Sequence, residues 1–194
     1  MSEALTAGLV QLSVSDDPER NLPVTRALVR EAAQGGAGWV LTPEATNLLG
    51  ASRERQEHVL RTEAEDQTLA VLREDARELG IWLLIGSLSL KTGDPGESRF
   101  ANRSFLIAPD GSIRARYDKL HMFDVTVSES ESYRESAAFR PGGRAVLAQG
   151  PLPVGMTVCY DLRFPALYRA LAQAGAEVLT VPAAFNDTTG AAHW

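Results

Sequence analysis

The sequence has one cysteine in 194 residues, Cys159. A lone thiol makes no intrachain disulfide and cannot supply the thiolates of a structural zinc site, and it suits a reducing cytoplasm. The three histidines, His58, His121 and His193, have no metal-ligand spacing, so no metal or other cofactor is expected. Long apolar runs are also lacking. The longest purely apolar stretch, Ile81 to Ile85, is far below the roughly 20 residues of a membrane span. Basic residues are outnumbered, 19 against 25, which leaves a net charge of −6 and a field that repels phosphate. Nucleic acid and membrane are therefore not expected partners. The acidic start Met1-Ser2-Glu3 lacks the basic flank of a signal peptide. No G-x-S-x-G elbow is present, which disfavours a serine hydrolase, and no second cysteine is available to resolve a redox thiol.

What remains is the composition of a folded protein, 44% apolar and 23% charged. Strand-type and helix-type patterns alternate along it. Ala7 to Leu12 reads as a strand, Ser15 to Pro18 as a turn and Asn21 to Gln34 as a helix stopped by Gly35-Gly36. Trp39 to Thr42 reads as a short buried strand ending at Pro43. Ala64 to Leu79 is the clearest amphipathic helix, with Leu69, Leu72, Ala76 and Leu79 on one face and Gly80 as cap. Strands are expected at Ile81 to Leu90, Phe100 to Ala108 and Ile113 to Tyr117, the last two joined by the turn Pro109-Asp110-Gly111. Asp118 to Pro141 is long and polar, a texture that goes with function or partial helix rather than plain connection. Strands at Arg144 to Gln149, Val154 to Val158 and Glu177 to Val181 surround a helix at Phe164 to Ala174. Ala183 to Trp194 has little pattern of its own. The expectation is an α/β layered fold in one domain.

Four residues stand where chemistry is commonly placed. Cys159 follows an apolar strand and precedes Phe164-Pro165, so its thiol is expected between a strand end and a helix N-terminus. There the dipole and free N–H groups would lower its pKa and hold an oxyanion. Glu44 in Leu41-Thr42-Pro43-Glu44 lies just past a central strand and could serve as a general base or simply as an acid at a helix start. Lys119 in Tyr117-Asp118-Lys119 could stabilise a thiolate and polarise a carbonyl, or be a solvated surface lysine. Glu135 could orient the lysine or a substrate amine, or be a solvated acid. His121 fits a structural hydrogen bond better than a base.

Taken together, a Glu, a Lys and a Cys, each directly after a strand and in that order, resemble the nitrilase superfamily of carbon–nitrogen hydrolases. The resemblance runs over nearly the whole chain, 1–194. It rests on Thr42-Pro43-Glu44, on Tyr117 through Asp124, on Glu135 through Pro141-Gly142, and on Cys159-Tyr160-Asp161-Leu162-Arg163-Phe164-Pro165. It implies a four-layer α-β-β-α sandwich whose last helix and strands would lie beyond this chain, and an assembly as a homodimer. It assigns Glu44 as base, Lys119 as oxyanion-stabilising cation, Cys159 as nucleophile and Glu135 as supporting glutamate, with the Tyr160 backbone N–H in the oxyanion hole. The run from Phe185 and Asn186 to Trp194 is similar to that of omega-amidases and deaminated glutathione amidases. That implies hydrolysis, with water as the only co-reactant, of a small 2-oxo-acid-derived amide. Arg163 and Asn186, with Phe185 beside them, could contact an acidic acyl group, or Arg163 could instead be held in an internal ion pair. The competing expectation is a catalytically silent fragment or interaction module that keeps the first part of the fold.

Overall fold

The computed structural model describes residues 4–127, 131–185 and 190–191. In chain order it forms β1 (Ala7–Leu9), α1 (Pro18–Gln34), β2 (Trp39–Leu41), α2 (Arg53–Val59), α3 (Gln67–Leu79), β3 (Trp82–Lys91), β4 (Phe100–Ile107) and β5 (Ile113–Asp118). There follow β6 (Asp124–Thr126), β7 (Ser132–Arg134), β8 (Val146–Gln149), β9 (Pro153–Met156), α4 (Pro165–Gln173) and β10 (Val178–Thr180). Two 3-10 turns, Glu135–Ala137 and Cys159–Arg163, interrupt this series.

The longest strand, β3, explains the layering. Its side chains alternate between two dry faces, which is the period of a pleated strand. Leu83 and Ile85 join Val29 of α1 and Leu69, Leu72 and Ala76 of α3 in one core. Leu84 joins Trp39, Leu106 and Tyr117 against Ala148, Val154 and Met156 in another. The first core lies between helices and a five-stranded sheet of order β1-β2-β3-β4-β5, parallel at β1-β2-β3 and antiparallel beyond. The second lies between that sheet and a three-stranded one of order β10-β9-β8. Gly155 of β9 faces outward, where an added Cβ would sit 3.2 Å from Leu171 of α4. Helices, sheet, sheet and helix thus form the expected α-β-β-α layers.

Helix ends follow local chemistry. Asp66 caps α3 by accepting the Leu69 N–H at 2.8 Å, and Gly80 closes it at φ 65°, a left-handed conformation that suits glycine. Helix α1 begins earlier than its apolar spacing predicts. Asp17 accepts the Glu19 N–H at 3.1 Å and Pro18 takes the first helical turn, so residues read as a turn are its cap. Helix α2 is not foreseen by periodicity because it buries none of its residues. Likewise β6 and β7 form a two-stranded hairpin inside the polar stretch 118–141, and each strand is only three residues long.

Candidate active site

Glu44 is delivered by a clasp between the end of β2 and a bulge within β3. After β2 the chain turns through Thr42-Pro43-Glu44-Ala45, and Ala45 adopts φ 56°. A bulge in β3 between Ile85 and Leu88 holds this turn. The Gly86 N–H donates to Thr42 Oγ1 at 3.1 Å, and the Ala45 N–H donates to Ser87 Oγ at 2.9 Å. A Cβ on Gly86 would lie 2.1 Å from the Thr42 carbonyl oxygen and 2.4 Å from that of Pro43. No L side chain fits without moving the turn that carries Glu44. Gly86→Ala should therefore lower kcat by at least about tenfold and lower Tm by several degrees, read by steady-state kinetics and thermal melting. Wild-type values for both would show that the clasp does not position Glu44.

Lys119 follows β5 and is buried. Its backbone N–H donates to the Asn102 carbonyl at 3.0 Å, and its carbonyl accepts the Gly142 N–H at 2.8 Å. Its Nζ lies 3.0 Å from Glu44 Oε1 and 2.9 Å from Glu135 Oε2. Glu135 opens the first 3-10 turn and also accepts the Phe123 N–H at 2.7 Å. Asn102 of β4 donates its Nδ2 to Glu44 Oε1 at 2.9 Å and to Glu135 Oε1 at 3.3 Å. The Ala184 N–H completes the shell of Glu44 at 3.0 Å from Oε2. Burial opposes the Lys119 charge, but Glu44 and Glu135 outweigh it and hold the ammonium well above the usual lysine range.

Cys159 begins the second 3-10 turn with φ 48°. That left-handed conformation is rare for a side-chain-bearing residue and costs on the order of 1–2 kcal/mol. It is held from both sides. The Cys159 N–H donates to the Pro182 carbonyl at 2.9 Å. The preceding Val158 N–H donates to Asp161 Oδ2 at 2.8 Å. Asp161 is fully buried and also accepts the Tyr117 hydroxyl at 2.6 Å and the His121 N–H at 3.0 Å, with His121 Nδ1 at 2.7 Å. The ring of His121 stacks on Phe164 at 3.6 Å, so this histidine is a structural partner, as its sequence context suggests.

The thiol departs from the sequence expectation. Burial pushes Cys159 up to about 12 and Glu44 adds to this, while Lys119 and the Ala184 N–H pull the other way. A helix N-terminus was expected to lower it. The α-helix proper starts only at Pro165, and Cys159 sits in a five-residue 3-10 turn whose dipole is small. Desolvation and a neighbouring carboxylate therefore win.

Asp161 turns two strand ends and a strained residue into one rigid unit. Asp161→Asn should cut kcat by about 10- to 100-fold with KM within about threefold, because a neutral amide cannot accept all four donors. A kcat within twofold of wild type would remove Asp161 from the positioning of Cys159.

Glu44, Lys119, Glu135 and Cys159 all face one cavity of about 560 Å³, which Asn102, Phe123, Phe139 and Phe185 also line. The structure thus brings the four expected catalytic candidates and Phe185 together. It does not bring Tyr160 or Arg163 to the cavity wall. The Tyr160 ring is wedged edge-on between Phe123 and Phe164, at 5.1 and 5.5 Å, and Arg163 is exposed on the turn. Asn186 lies outside the described residues. Sequence reading passed over Asn102 and Asp161. The available signals were an asparagine in an otherwise buried-type strand, and an acid two residues past the cysteine with no room for a solvated role.

The carbon-nitrogen hydrolase family profile matches residues 6–194. The deaminated glutathione amidase of Yersinia enterocolitica is 37% identical over 188 residues, covering 96% of this chain and 65% of its own length. The omega-amidase NIT2-B of Xenopus laevis is 35% identical over 187 residues, covering 96% of this chain and 66% of its own. The chain thus spans just under two thirds of the length of these relatives. The crystal structure of Saccharomyces cerevisiae Nit3, a member of the nitrilase superfamily, superposes with a TM-score of 0.82 at 27% identity, over 98% of this chain and 68% of that one. Profile, relatives and fold agree, and the chain belongs to the carbon–nitrogen hydrolase family.

Proposed function

We propose that the protein hydrolyses the amide bond of a small 2-oxo-acid-derived amide, such as deaminated glutathione or a 2-oxo acid omega-amide, through a thioester on Cys159. The observation that carries this reading is the convergence of Glu44, Lys119 and Cys159 on one cavity, with Lys119 Nζ 3.0 Å from Glu44 Oε1. The names of the relatives support the substrate class.

The resting nucleophile is a thiol, not a thiolate, because its pKa lies near 12. It therefore needs a base at the moment of attack. Glu44 takes the Sγ proton as sulfur bonds to the amide carbon. The carbonyl oxygen gains the negative charge and is met by the Lys119 ammonium. Glu44 then hands its proton to the nitrogen, the C–N bond breaks, and ammonia or an amine leaves the acyl thioester. Water gives a proton to Glu44 and adds to the thioester carbon. Collapse releases the carboxylic acid, and the sulfur takes its proton back from Glu44. Glu135 and Asn102 hold Lys119 and Glu44 in register without exchanging protons. A nucleophile that must stay a free thiol suits a reducing cytoplasm, and a homodimer is the proposed assembly.

The test is product release from a panel of amides. A 2-oxo acid omega-amide or deaminated glutathione should be cleaved at least tenfold more efficiently than a simple aliphatic amide or a nitrile, and Cys159→Ala should be inactive on all of them. Equal turnover of all panel members, or turnover by Cys159→Ala, would contradict the proposal.

A further inference from the structure

We propose that Arg134 is the residue that selects a carboxylate-bearing substrate, a role for which Arg163 is one candidate in the sequence. This rests on the amide-hydrolase reading above and names the recognition element of the same cavity. The argument is one of charge. The cavity wall carries two carboxylates, Glu44 and Glu135, and two cations, Lys119 and Arg134. Lys119 is buried and already held by both carboxylates at 3.0 and 2.9 Å. A second negative charge arriving with the substrate would meet two fixed anions and one neutralised cation. Among the described residues of the wall, Arg134 is the cation left to receive it.

The geometry of Arg134 fits that task. It ends β7, where its register partner across the hairpin is Asp124. Asp124 attracts it through charge, with no hydrogen bond between the two. Its two oxygens are taken by the Ser136 N–H at 3.0 Å and the Ser136 hydroxyl at 2.5 Å. The guanidinium NH1 donates to the neighbouring Tyr133 carbonyl at 3.2 Å, which steadies the head and leaves other donors of the planar fork for a ligand. Arg134 is directly followed by Glu135, so the group that would hold the substrate's carboxylate is joined through one peptide bond to the group that holds Lys119. The apolar wall between, made of Leu48, Phe123, Phe139 and Phe185, suits a short carbon chain linking an amide to a distant charge. Both arginines are exposed, but Arg134 lines the cavity and Arg163 lies off its wall.

The experiment pairs a 2-oxo acid omega-amide with its neutral methyl ester as substrates. In Arg134→Gln, KM for the acid should rise about 10- to 100-fold, the range of a lost charge-assisted bidentate contact. KM for the ester and kcat for both should stay within about threefold. Arg134→Lys should recover part of the loss. A matching rise for the ester, no rise for the acid, or a carboxylate-specific rise in Arg163→Gln would overturn the proposal. A second readout needs no turnover. Cys159→Ala should bind 2-oxoglutarate, and Cys159→Ala combined with Arg134→Gln should bind it at least tenfold more weakly by titration calorimetry. Equal binding, or none in Cys159→Ala, would also overturn it. Wild-type protein inactive on every amide, yet binding 2-oxoglutarate through Arg134, would instead count against the amidase reading alone.

Discussion

Glu44→Gln should lower amide turnover by about 10³-fold and at the same time make the Cys159 thiol easier to ionise. The first effect follows from losing the base that a protonated thiol requires. The second follows from the charges around the sulfur. Burial and Glu44 together raise the thiol to about 12, and Lys119 opposes them. Glutamine keeps the shape and removes the opposing carboxylate, so the Lys119 charge acts on the sulfur with less competition. The sign is therefore unusual: the variant that loses activity gains thiolate. In wild type the thiol stays largely protonated near neutral pH, and alkylation by iodoacetamide should keep rising with pH without levelling off by pH 9. In Glu44→Gln the same curve should shift to lower pH. A wild-type curve that levels off near pH 8, or a Glu44→Gln curve shifted to higher pH, would show that the carboxylate does not act on the sulfur.

Lys119→Met should be worse for the fold than the loss of the nucleophile. It leaves Glu44 and Glu135 facing each other with no cation between them, in a site where Lys119 is only 2% exposed. Breaking a buried ion pair by deleting one partner costs about 3–5 kcal/mol, whereas Cys159→Ala removes a small neutral group. Turnover should also fall by about 10²–10³-fold through loss of the oxyanion partner. Acidification lets the stranded carboxylates take up protons, so the stability deficit should shrink as pH falls from 8 toward 5, measured by denaturant unfolding at each pH. A deficit below about 1 kcal/mol, or one that grows on acidification, would mean that the cluster is not held together by this charge.

The sequence was most informative where one face of an element is buried and least where burial is shallow. Helix α3 announces itself through Leu69, Leu72 and Ala76, which do enter the core. Helix α2 buries nothing, so it leaves no periodic trace, and the β6–β7 hairpin is too short to show alternation. The site was legible in outline because its motifs sit directly after strands: Glu44 beyond β2, Lys119 beyond β5 and Cys159 beyond β9. Its electrostatics were not. The Cys159 pKa depends on Glu44, 115 positions earlier (159 − 44), and on burial, neither of which a strand–turn–helix pattern contains. Arg163 stands inside the cysteine motif and so drew attention, whereas Arg134 reaches the cavity only because the hairpin folds over it.

The most direct test of the central claim is intact-mass spectrometry of the protein quenched in acid within the first turnovers of a 2-oxo acid omega-amide, followed by peptide mapping. The account predicts an adduct of the acyl mass on Cys159 alone, labile to hydroxylamine as a thioester is. It should be absent from Cys159→Ala and greatly slowed in Glu44→Gln. Amide hydrolysis that proceeds with no acyl adduct, or with the acyl group on another residue, would contradict it.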